Sequence, residues 1–197
     1  FGPQIWFDEW PPAAHFVKRA MSLDPSKGKV DKSGDYSAFV TLAVDRQLTL
    51  WVDADLDNTR PVEPMKSRPG PSILEDGIRI ASEFKPDGFV IETNGFQEMV
   101  AGCFLRESQA RGLHLPLYTV CNTDPKQQRI RTLGTYFAQG RLRVRKTRGG
   151  RLLVQQLKQF PSGDHDDGPD ALKMAESLAD YLLRGNASQS NVALLRA

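Results

Sequence analysis

The stretch Gly88-Phe89-Val90-Ile91-Glu92 (GFVIE, residues 88–92) is apolar on both faces and closes on a carboxylate. Five such residues suit a strand, and a strand without a polar face must be covered on both sides, which places it centrally among parallel neighbours. Outward from it the chain alternates. Upstream, Ser72 precedes Ile73, Leu74, Ile78, Ile80 and Ala81 at helical spacing, which predicts a helix capped by Ser72. Downstream, the pattern predicts a helix from about Phe96 to Ala110, a strand in LHLPLYTV (113–120) and a helix over Pro125 to Gln139. Further upstream, FVKRAMSLD (16–24), YSAFVTLAVD (36–45) and LTLWVDADL (48–56) read as three consecutive strands, an antiparallel meander turning at Asp45 to Gln47. Toward the C-terminus, RLRVRK (141–146) alternates like a strand or hairpin arm and GRLLVQQLKQF (150–160) reads as a short helix. In PDALKMAESLADYLL (169–183), Leu172, Ala175, Leu178, Ala179 and Leu182 share one helical side. The expected fold is α/β, with three antiparallel strands followed by parallel strands in one mixed sheet flanked by helices.

A chain of 197 residues, 40% of them hydrophobic, can bury one substantial core. The patterning predicts a domain over 16–185, preceded by a Pro-rich and aromatic linker (1–15) and followed by a flexible tail (186–197). No apolar run approaches membrane-spanning length, and the first ten residues lack the basic start and apolar centre of a signal peptide. A soluble, non-secreted protein with no membrane partner is expected. Cys103 and Cys121 have no metal-ligand spacing and read as reduced, small apolar residues, so neither a disulfide nor a zinc site is expected.

The formal charge of +2 hides an uneven distribution. Between Pro125 and Gly163 there is no Asp or Glu, while Lys126, Arg129, Arg131, Arg141, Arg143, Arg145, Lys146, Arg148, Arg151 and Lys158 all lie there. That asymmetry suggests a polyanionic partner.

The acidic residues fall at element ends. Asp24 ends the first strand, Glu92 ends GFVIE, and Asp166 and Asp167 immediately precede the final helix. Parallel packing of the first and fourth strands would bring their carboxyl ends together, with the final helix docking its aspartates beside them. Clustered carboxylates repel unless a cation neutralises them, and hard oxygen donors favour Mg²⁺ or Mn²⁺. Two such ions about 4 Å apart can activate a water and stabilise both oxygens of a phosphodiester displacement. In that scheme Asp24 bridges, Glu92 and Asp167 complete the coordination, and Asp166 competes for the third place. Asp170, one turn on, can ligate, orient a metal water or cap the helix. Asp31 and Asp35, in the turn after Asp24, can add a ligand or position Lys27 and Lys32, and His165 can tune the site or donate to phosphate. An aspartate alone at a strand end or helix start is usually a turn former or cap, and Glu92 closing an apolar strand is the stronger signal; it is their combination that points to chemistry.

SGDHDDGPDAL (162–172), supported by VIETNGF (90–96) and SLDPSKGKVDKSGDYSA (22–38), resembles the C-terminal nuclease domain of phage large terminases. The resemblance covers about Met21 to Leu183. It implies an RNase H-like fold, with metals held by an Asp on the first strand, an acid ending the fourth and an Asp of an HDD-type element, here Asp24, Glu92 and the Asp166/Asp167 pair. It further implies cutting of double-stranded viral DNA during genome packaging in the host cell cytoplasm. A terminase ATPase domain, small terminase and portal protein would be the partners. No GxxxxGK[ST] phosphate loop occurs, and PSKGKVDKSG has the wrong spacing, so the chain is expected to be a nuclease part without a motor.

The basic segment is then the expected DNA surface: Arg141, Arg143 and Arg145 on one strand face beside the site, with Lys126, Arg129, Lys146 and Arg148 adding phosphate contacts and RKTRGGR (145–151) a mobile arm. No base-reading motif is present. His15, His114 and His165 lie in no triad context, and Trp6, Trp10 and Trp51 read as packing residues. The competing functions are another RNase H-like nuclease, acting on junctions or RNA/DNA hybrids, and a noncatalytic DNA clamp.

Overall fold

The computed structural model describes residues 2–26, 34–65, 70–92, 96–121, 124–185 and 193–196. Its strands are β1 (Trp6–Phe7), β2 (Phe16–Asp24), β3 (Ser37–Asp45), β4 (Leu50–Asp57), β5 (Gly88–Glu92), β6 (Leu117–Cys121), β7 (Leu142–Arg145) and β8 (Ala193–Arg196). The helices are α1 (Ile73–Phe84), α2 (Phe96–Ala110), α3 (Lys126–Arg131), α4 (Gly134–Ala138), α5 (Arg148–Gln159) and α6 (Asp167–Leu183). One sheet runs in the order β1-β7-β4-β3-β2-β5-β6-β8.

The meander and the central strand form as expected. β2, β3 and β4 are antiparallel, β5 lies parallel to β2 with Leu23 beside Ile91, and β6 lies parallel to β5. All five residues of GFVIE are buried because both faces are covered. Phe89 and Ile91 pack with Met21, Leu23 and Phe39 against Ile73 and Ile78 of α1 and Phe104 of α2. Val90 joins Ala20, Val40, Leu42 and Val52 on the other face, under Leu153 of α5 and Leu172, Ala175 and Leu178 of α6. This two-layered burial supplies most of the driving force for the fold, at about 25 cal/mol per Å² of apolar surface removed from water. Ser72 caps α1 as expected: its hydroxyl accepts the Glu75 N–H at 3.1 Å, and Glu75 returns a carboxylate oxygen to the Ser72 N–H at 2.9 Å.

Four local expectations are corrected. Residues 125–139 form two short helices, not one: only Ile130 and Leu133 are buried, the Leu133 N–H turns to Ile130 O, and Gly134 follows. Residues 1–15 are more than a linker, since β1 adds an edge strand to β7, Ile5 enters the core and Phe7 and Trp10 stack edge-on with each other. In the tail, 193–196 pair antiparallel with β6, while 186–192 lie outside the described residues. RKTRGGR is no mobile arm. Thr147 caps α5 by accepting the Gly150 N–H at 3.0 Å, and Gly149 lets the helix start touch the Ala54 carbonyl of β4, where a Cβ would collide.

Candidate metal and phosphodiester site

Asp24 and Glu92 each sit one residue beyond the paired Leu23 and Ile91, so their carboxyls leave adjacent parallel strands at the same end of the sheet. Strand alternation puts both on the α6 face, in phase with Ala20, Ser22 and Val90. α6 is fastened there by its first turn: the Ser22 hydroxyl donates to Ala171 O at 2.6 Å. This brings Asp167 and Asp170, one helical turn apart, over the ends of β2 and β5.

Asp24, Glu92, Asp167 and Asp170 are all buried, between 2% and 8% exposed. Burial pushes the Asp24 carboxyl well above the usual range; Lys126 opposes that rise, and Asp170, Asp167 and Glu92 add to it. Burial likewise raises Asp170, against Lys126 and Arg129 and with Glu92. Asp167 is raised by burial, opposed by the Tyr36 N–H and Lys126 and reinforced by Asp35 and Asp166. Burial is the largest cause in each case, and the charges of Asp24, Asp167, Asp170 and Glu92 act on one another beside the opposing Lys126 and Arg129.

Asp166 differs from its neighbour. It is the residue before α6, its side chain is 36% exposed, and Lys126 Nζ lies 2.8 Å from its Oδ1. Tyr36 N donates to Asp167 Oδ2 at 3.0 Å, and His165 Nδ1 stands 3.9 Å from the same oxygen, beyond hydrogen-bond reach. Asp35, His165 and Asp167 each offer one ligand atom, all within 4.8 Å of one another. The Tyr36 ring meets His165 edge-on at 5.0 Å. Asp31, Lys27 and Lys32 lie outside the described residues. A donor set of several carboxylates with one imidazole at its margin fits a hard divalent cation such as Mg²⁺ or Mn²⁺.

The sequence carried no signal for three supporting contacts. Tyr36 acts through its backbone, Ser22 through a carbonyl of α6, and the buried Gln156 accepts the Gly168 N–H at 2.8 Å to hold the α6 start against α5. A cleft of about 440 Å³ opens beside Asp167, bounded by Tyr36, Gln155, Gln156, Gln159, Ser162 and His165. A second cavity of about 420 Å³ lies on the other sheet face, lined by Trp10, Phe16, Phe39, Asp53 and Arg145 among others, away from the carboxylates.

The expectation that Arg141, Arg143 and Arg145 flank the carboxylates is not met. Leu142 and Val144 of β7 point into the α5/α6 face, so Arg143 and Arg145 point to the opposite one. β7 is also three strands from β2, roughly 14 Å at ordinary strand spacing. These guanidiniums have partners there: Arg145 reaches Asp53 and Glu9 at 3.4 and 3.3 Å, and Arg143 donates to Gly140 O at 2.7 Å. Arg141 donates to Leu48 O in the β3–β4 turn, at the far end of the sheet from Asp24. Lys146 and Arg148 are exposed, whereas Lys126 and Arg129 face the acidic cluster itself.

No family model and no curated protein matches the sequence. Among solved structures, the HK97 bacteriophage large terminase superposes with a TM-score of 0.58 at 17% identity, over 82% of this chain and 39% of that one. T. thermophilus RuvC in complex with a Holliday junction substrate gives 0.48 at 16% identity over 85% of this chain and 97% of that one, and the yeast mitochondrial Holliday junction resolvase Ydc2 gives 0.49 at 10% over 86% and 82%. The chain thus spans about two fifths of the terminase chain it resembles in shape. Its mixed sheet of three antiparallel and then parallel strands, covered by helices on both faces, is the RNase H-like fold.

Proposed function

We propose that this domain is a metal-dependent endonuclease that cuts double-stranded viral DNA during genome packaging, the nuclease part of a large terminase. The observation that carries the reading is the meeting of Asp24, Glu92, Asp167 and Asp170 at one sheet end of an RNase H-like fold. The HK97 terminase likeness supports the choice of enzyme class. Asp24, Glu92 and Asp167 would hold two Mg²⁺ or Mn²⁺ ions, and the burial and charge coupling of Asp170 favour it over the more exposed Asp166 as the further ligand. The ions would supply a nucleophilic water and neutralise charge at the phosphodiester. The Tyr36 N–H fixes the orientation of Asp167, while His165 and Asp35 flank its open side. The exposed Lys146, Arg148 and Arg151, with no base-reading motif among them, contact DNA phosphates without sequence preference. The ATPase domain, small terminase and portal would direct when the cut is made, in the host cytoplasm.

The test is plasmid nicking by the domain with Mn²⁺, with Mg²⁺ and with EDTA, beside Asp24→Asn and Glu92→Gln. Metal-dependent cutting that both substitutions leave intact would refute the site. DNA binding without cutting in any metal would make the domain a clamp. Preference for a four-way junction or an RNA/DNA hybrid over duplex DNA would move it to another nuclease class.

A further inference from the structure

The acidic cluster already holds a cation of the chain's own. Lys126, the first residue of α3, places Nζ 2.8 Å from Asp166 Oδ1 and 3.5 Å from Asp170 Oδ2, and its charge also acts on Asp24. Arg129, three residues on, lies 3.0 Å from Asp170 Oδ1. The two cations are not equivalent. Arg129 is 10% exposed and its forked head grips a carboxylate that is 2% exposed, so that pair ties α3 to α6. Lys126 is 34% exposed, a compact charge on a flexible four-carbon stem at the solvent side of the cluster. Burial alone would weaken its ammonium; Asp170, Asp166 and Asp24 outweigh that and hold it charged.

A divalent ion drawing on Asp170 and Asp24 would have to share their charge with Lys126, whose Nζ lies 3.5 Å from Asp170 Oδ2, and two cations on one carboxylate cluster repel. We propose that Lys126 is a built-in counter-ion of the cluster: anchored on Asp166, its ammonium competes with a divalent ion for Asp170 and Asp24, and swings outward when that ion enters. It is a positioning residue that keeps the carboxylates gathered until they are loaded. The withdrawn ammonium lies at the rim, where an arriving phosphate is its natural partner, so DNA and the second ion load together. This rests on the metal-dependent reading of the same site.

The test is Mn²⁺ binding to the domain without DNA, by calorimetry, for the native protein and Lys126→Met. The variant is expected to bind its weakest Mn²⁺ at least about tenfold more tightly. Unchanged or weaker binding by a folded variant overturns the proposal. Should Lys126→Met fail to fold, the native protein still decides the matter: acetylation of Lys126, read by peptide mass spectrometry, is expected to rise when Mn²⁺ is added. An unchanged yield overturns the proposal. If neither folded protein binds Mn²⁺, the metal-dependent reading falls with it; if both bind alike and the native protein cuts DNA, the counter-ion role alone falls.

Discussion

At the scale of single residues, the proposed metal-dependent cutting makes Asp24 the point where stability and activity would pull in opposite directions. Its carboxylate is buried beside three others, so the folded state favours its protonated form. Asp24→Asn is expected to remove metal-dependent cutting by about 10³-fold or more, and to raise the melting temperature of the metal-free domain by about 2–4 °C, on the order of 1 kcal/mol. A nicking assay and a thermal melt in EDTA check the two halves. The pH dependence follows from the directions of the shifts. Asp24, Asp167 and Asp170 are raised, so between the ordinary aspartate value and their folded values the native state binds more protons than the unfolded one, and stability falls as pH rises through that window. Asp45 and Asp57 are lowered, burial being outweighed by hydrogen bonds from Trp51, Thr49 and Gln47 to Asp45 and from Thr59 to Asp57. Their contribution is present above the ordinary value and is lost below it as pH falls through their folded values. Melts in EDTA are therefore expected to fall as pH is raised from the ordinary aspartate value through the folded values of this cluster, with Mn²⁺ offsetting the loss. Equal melts in EDTA would show that the cluster is not electrostatically strained. The sequence named all four buried acids, Asp24 and Glu92 because they close strands and Asp167 and Asp170 because they lie at the start of the final helix; it had no means of ranking Asp170 above Asp166, since burial depends on which way α6 docks.

Among the elements, α5 shows how a local reading can miss the tertiary role. RKTRGGR reads as flexible because paired glycines disfavour an isolated helix. In the fold Gly149 is required by close approach to the Ala54 carbonyl, and Thr147 supplies the cap. Gly149→Ala is expected to cost about 3 kcal/mol or more and Thr147→Ala about 1 kcal/mol, measured by denaturant unfolding. A neutral Gly149→Ala would mean that α5 is free to move off β4. The strands were legible for the opposite reason. β3 and β5 are buried along their whole length and β4 alternates buried with half-buried residues, patterns a sheet must satisfy, and the capping box at Ser72 and Glu75 is complete within four residues. The single helix expected over 125–139 broke because its apolar residues do not form a stripe long enough to hold it together.

Over the whole molecule, the distribution of charge separates two basic surfaces that the sequence joins into one. Arg143 and Arg145 belong to the face opposite the carboxylates, while Arg148 and Arg151 are exposed on α5, the helix that covers the site's own face. Arg148→Glu with Arg151→Glu is expected to weaken duplex binding by about tenfold or more at moderate salt and to flatten its salt dependence, whereas Arg143→Ala should change little. Fluorescence anisotropy across a salt series measures both, and a large effect of Arg143→Ala would return β7 to the DNA path. The sequence by itself determined the alternation of elements, the apolar central strand and the acids that end β2, β5 and the approach to α6, because those depend on local periodicity and on where strands must stop. Only the tertiary structure decided which acids share one site, that Lys126 lies among them, and that the β7 arginines look away. Strand order and the pleat set the face to which a side chain points, and neither can be read along the chain.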